Sequence, residues 1–90
     1  MTDHRFTVVC EFDGGTYVSQ VSGRDEREAL AAWSDDLLST RPMGDDASLI
    51  AAAVVDDPDT PTPLAGLEGV SCWTADIDNR LVLAHIILST

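Results

Sequence analysis

Few residue types in this 90-residue chain can do covalent or metal chemistry: two cysteines, two histidines and a surplus of carboxylates. A reactive thiol needs a base beside it and a positive surrounding. Cys10 and Cys72 instead sit in apolar stretches of a chain with net charge −11, so both are expected to be buried free thiols. His85 is the base nearest Cys72. A four-residue turn over 76–79 would set Ala75 against Arg80 and Cys72 against Leu83. Cys72 would then lie diagonal to His85 at about 7–8 Å, as a neighbour and not a hydrogen-bonded pair. His4 and His85 each lack a second histidine at ligand spacing. Asp76-x-Asp78-Asn79 resembles the start of a calcium loop, yet Leu81 stands where that loop needs glycine and the distal glutamate is absent. An acidic hairpin turn is the expected structure there. Nothing in the Asp-Asp pairs would drive one carboxyl pKa away from its twin. Gly14-Gly15 is not followed by a helix, so it is no phosphate cradle. These readings name no catalytic residue, no metal ligand and no cofactor, and the chain is expected to be non-enzymatic.

Charge is the stronger indication. Sixteen acids face five arginines and no lysine. A folded surface of roughly 5,000 Å² would carry one net charge per roughly 450 Å² if they were spread evenly. Such charges, ~20 Å apart, exceed the ~8 Å Debye length and would do little beyond solubility. Clustering changes that. Asp35, Asp36, Asp45, Asp46, Asp56, Asp57 and Asp59 fall within one short span, opposed only by Arg41. Such a cluster argues against nucleic acid and anionic membranes and favours a basic protein partner. No apolar run approaches the roughly 20 residues of a membrane helix. The opening Met-Thr-Asp-His-Arg lacks an apolar signal core, so a cytoplasmic location is expected.

The elements that must position these groups follow from hydrophobic period. Arg80 to Leu88 is apolar on both faces if extended, with Leu81, Leu83 and Ile87 on one side and Val82, Ala84, Ile86 and Leu88 on the other. Such a strand belongs at the centre of a sheet, with cover on both faces. Residues 4–12 alternate as a half-buried strand, with His4, Phe6, Val8, Cys10 and Phe12 on one face. Asp13-Gly14-Gly15-Thr16 predicts a tight hairpin that pairs Phe12 with Tyr17, Cys10 with Ser19 and Val8 with Val21. A helix should begin at Asp25, with Glu28 completing a capping box. Ala29, Leu30, Trp33 and Leu37 form its buried stripe, flanked by Leu38, and Arg41-Pro42 and Gly44 stop it. Trp33 is expected to anchor the helix on the sheet.

Asp46 is expected to cap a second short helix through Ala53, although Ile50, Val54 and Val55 leave a strand open. Residues 56–63 read as loop, because three prolines deny a regular ladder. Val70 to Asp76 is a strand leading to the central one. The whole is a single domain, 1–90, of α+β class: a two-layer, mainly antiparallel four-stranded sheet, β-β-α-α-β-β, with helices on one face. Its other face would expose Val9, Val18 and one side of the last strand. That is more apolar surface than a monomer usually leaves open, and a homodimer through this face or through a strand edge is expected.

Residues 6–38 contain a strand, a glycine turn, Thr16-Tyr17-Val18-Ser19-Gln20-Val21 and then Asp25-Glu26-Arg27-Glu28-Ala29-Leu30. This run resembles the N-terminal module of HicB-type antitoxins, in which a hairpin leads into a helix carrying a Glu-Ala-Leu element. The resemblance implies the hairpin-helix shape. Ser22-Gly23 stands where the family has a Pro-containing Gly-Cys loop, and no separate DNA-binding tail follows residue 40. In size, acidity and α+β character the chain is also similar to small bacterial immunity proteins that mask a basic toxin. The leading expectation is therefore an acidic protein-binding module. The seven aspartates would steer the partner, and Trp73 would serve as an anchor if exposed. The alternatives are a homodimeric structural protein, and a small-molecule binder or enzyme with a pocket around Cys72, His85 and Tyr17.

Overall fold

Alternation of apolar and polar residues makes the first hairpin. In the computed structural model, which describes residues 3–57 and 61–89, β1 (His4–Phe12) and β2 (Gly15–Gly23) pair antiparallel. Phe6, Val8, Cys10 and Phe12 of β1 are buried. The turn is Asp13-Gly14, with φ of 50° and 81°. Both central residues take the left-handed region, as a two-residue type I′ turn requires. Phe12 therefore pairs with Gly15, Cys10 with Tyr17 and Val8 with Ser19. The predicted partners, Tyr17, Ser19 and Val21, are each two residues too far along. A shift of two keeps every side chain on its expected face, which is why the alternation could not expose the error.

The helix α1 spans Glu26–Thr40. Asp25 is its N-cap, and its carboxylate accepts from the Glu28 N–H at 2.9 Å. The Glu28 carboxylate reaches back to the N–H of Arg24 at 2.8 Å, one residue before the position a capping box uses. Ala29, Leu30, Trp33, Ser34 and Leu37 are buried, and Arg41 ends the helix in a left-handed conformation with its N–H on the Leu37 carbonyl. Gly23 allows the tight joint between β2 and α1: a Cβ there would lie 2.8 Å from the backbone nitrogen of Ala29.

The helix α2 spans Asp46–Asp56. Asp45, not Asp46, is at its N-cap, and no side chain caps it. Asp46 is instead drawn away from the helix end by Arg80, as described below. Part of the predicted loop is ordered as a short edge strand, β3 (Thr62–Pro63), pairing with Ser71 and Cys72. Proline is tolerated there because an edge strand has one unpaired side.

A second tight hairpin closes the chain. β4 (Val70–Ile77) and β5 (Arg80–Leu88) are joined by Asp78-Asn79, with φ of 52° and 66°. The four-residue turn predicted over 76–79 is thus a two-residue turn, and Asp76 and Ile77 extend β4.

Among the described residues the sheet has five strands in the order β2-β1-β5-β4-β3, every pair antiparallel, with β5 central. Both helices lie on one face. The core between the layers joins Phe6, Val8, Cys10 and Phe12 with Val82, Ala84 and Ile86 below and Trp33, Leu37 and Ile50 above. β5 was expected to be covered on both faces. In the single chain it is covered on one: Val82, Ala84 and Ile86 are buried, whereas Leu81 and Leu88 are exposed and Leu83, His85 and Ile87 half-buried.

Candidate functional site

The two helices pack side by side across the sheet, and their outward residues form a groove. The α1 stripe turns Leu30, Trp33 and Leu37 inward, so the flanking Leu38 stays 52% exposed. On α2, Ile50 and Val54 face the core and leave Val55 77% exposed. Leu38, Ala51, Ala52 and Val55 line a groove of about 330 Å³ with Asp35 and Asp56 among its walls. A smaller extension of about 190 Å³ continues past Ala31 and Val54 to Arg27 and Asp57. Apolar walls with carboxylates among them are the complement of a segment that carries both apolar and cationic side chains.

The predicted acidic residues divide into two groups. Asp35, Asp45 and Asp56 are exposed and Asp36 half-exposed on the helical layer. Asp46 forms a two-pronged ion pair with Arg80 at 3.0 and 3.1 Å. This bond holds the guanidinium pKa above its ordinary value. Arg80 also lies over the Phe12 ring at 4.8 Å and within 3.4 Å of Asp13. Asp57 accepts from the indole N–H of Trp73 at 2.9 Å. Asp46 and Asp57 therefore hold the fold together. Asp59 lies outside the described residues.

Trp73 does not meet the condition set for an anchor. It is 3% exposed, on the sheet face beneath the helices, edge-on to Trp33 at 6.2 Å between rings. Trp33 is 1% exposed and forms part of the core, as its place in the helical stripe predicts.

The cysteines also resolve. Cys10 is buried, and that burial, with Glu11 adding a smaller push, raises its thiol to about 11. Cys72 is half-buried and its thiol is raised by burial as well. The register of the second hairpin sets Cys72 directly opposite His85, and not diagonal to it. The same face carries Val9 opposite His85. Tyr17 packs against the core on the helical side of the sheet. Cys72 and His85 are on the other side, so these three residues share no pocket. Another depression, about 340 Å³, lies at the first hairpin turn, where Glu11 and Asp13 are its ionisable residues. Among the described residues, no three His, Cys, Asp or Glu side chains gather as a metal site would need. No helix among them is long and apolar enough to cross a membrane.

The helical groove was not expected from sequence. Its indication was Leu38 just outside the α1 stripe together with Val55, which falls outside the inward stripe of α2 set by Ala47, Ile50, Ala51 and Val54. Comparison with protein-family models, with curated proteins and with solved structures finds no match.

Proposed function

We propose that this chain is a non-enzymatic, cytoplasmic protein-binding module that docks a basic partner on its helical face, in the manner of an immunity or antitoxin-like protein that masks a toxin. The observation that carries this reading is the exposed pair Leu38 and Val55 on a helical layer that also presents Asp35, Asp36, Asp45 and Asp56. Exposed apolar side chains supply contact energy at the centre of an interface, and surrounding charge supplies selectivity and encounter rate. The hairpin-helix likeness of residues 6–38 to HicB-type antitoxins supports the same class.

The partner to test is the product of the reading frame beside this one, because immunity proteins and antitoxins are normally encoded next to their toxins. Association measured by stopped flow should slow steeply with added salt. Asp35→Asn with Asp56→Asn should lower the association rate by roughly 3–10-fold at low salt. Val55→Glu should mainly accelerate dissociation. An association rate indifferent to salt, or unchanged in the double variant, would remove the steering role.

A further inference from the structure

The open face of the sheet is a second and separate surface. On it, Val18, Val9, His85 and Cys72 form one row across β2, β1, β5 and β4. Flanking rows add Ile87 and Val70 on one side and Leu83 on the other. Thr7, Gln20, Thr16 and Thr74 surround these apolar residues, giving the apolar centre and polar rim of a protein interface. Val18 is 64% exposed in the single chain.

We propose that this face is the interface with a second copy of the chain, packed sheet on sheet about the Val9–His85 row. Two observations favour a second copy. The first is charge. Of the acids on the described strands, only Glu11 and Asp76 occupy open-face positions, both near the hairpin-turn end. The helical acids lie on the far side of each sheet. With ~10 Å between packed sheets and ~10 Å for each helical layer, the acidic faces of the two copies stand roughly 30 Å apart, several Debye lengths. A face-to-face pair is thus the arrangement in which two copies of charge −11 repel least.

The second is area. Four long strands at ~4.8 Å spacing and about 28 Å length present roughly 550 Å² in projection. With full overlap, two copies would bury about 1,100 Å² in projection, close to the lower bound of stable interfaces before side-chain relief is added.

Sedimentation equilibrium from about 10 to about 500 µM, in low and in about 0.5 M salt, tests this. The expected result is twice the 9.6 kDa chain mass, with dissociation weakened by salt, the opposite sign to partner steering. Val18→Glu with His85→Glu should raise the dissociation constant at least ~30-fold with an unchanged circular dichroism spectrum. Leu38→Glu and Val55→Glu, on the helical face, should leave it unaltered. Alkylation of Cys72 in the unmutated protein should slow as concentration rises. A monomer at the highest concentration and salt would overturn the proposal. So would a dimer lost with Val55→Glu and kept with Val18→Glu, or a Cys72 alkylation rate independent of concentration. A monomer, or a concentration-independent alkylation rate, leaves the basic-partner reading intact because that reading rests on the other face; a dimer lost with Val55→Glu would instead put a second copy on the helical groove.

Discussion

Cys10 is the residue whose environment has the plainest thermodynamic consequence. It is fully buried among Val8, Phe12 and Ala84, and desolvation of the thiolate lifts its pKa from 9.0 to about 11. As pH rises past 9, the unfolded chain releases the thiol proton first and is stabilised relative to the folded one. Full stability is therefore present below pH 9 and declines through about 11. The chain has no lysine, which removes the commonest other group titrating in that window. Thermal midpoints should fall from pH 8 to 11, and Cys10→Val should shrink the fall; equal slopes in the two proteins would contradict the burial account. Trp73 gives a second residue-scale prediction. Its N–H on Asp57 is a bond to a charged acceptor, so Trp73→Phe should lower stability by about 2 kcal/mol, counting lost packing against Trp33. Asp57→Asn, which retains an acceptor oxygen, should cost less in the same urea titration.

Elements were legible where one local rule governs them. Asp25 and Glu28 define the start of α1, and Ala29, Leu30, Trp33 and Leu37 define its inward stripe, because a helix repeats every 3.6 residues whatever it packs on. The alternation of residues 4–12 defines β1 for the same kind of reason. Hairpin registers were less legible. Each register was drawn two residues off, since the turns are the pairs Asp13-Gly14 and Asp78-Asn79, all four residues in the left-handed region, and three of these four are not glycine. Aspartate and asparagine reach that region at low cost, so glycine alone does not mark where such turns lie. The N-cap of α2 was misplaced because Asp46 is claimed by Arg80, a residue 34 positions away. The joint between β2 and α1 supplies the element-scale prediction. Gly23→Ala would press a methyl into the backbone of Ala29 and should cost about 1–3 kcal/mol in denaturant unfolding. No measurable loss would mean that α1 can rise off the sheet freely.

At the scale of the molecule, the two faces differ in kind. The helical layer carries most of the negative charge, and the open sheet face carries apolar side chains. The two associations proposed above would answer to salt with opposite signs, so one titration of ionic strength would separate them. Composition and period alone determined that this chain makes strands and a capped helix, that β5 is the central strand, and that the product is acidic. Those properties depend on residues close together in sequence or on sums over the whole chain. Only the tertiary structure decided which acids are available and which surface is open. Asp46 is taken by Arg80, Asp57 by Trp73, and Trp73 itself by the core. Cys72 meets His85 because a turn of two residues, and not four, joins their strands. These outcomes depend on contacts between distant segments, and a burial or pairing of that kind has no local pattern to betray it.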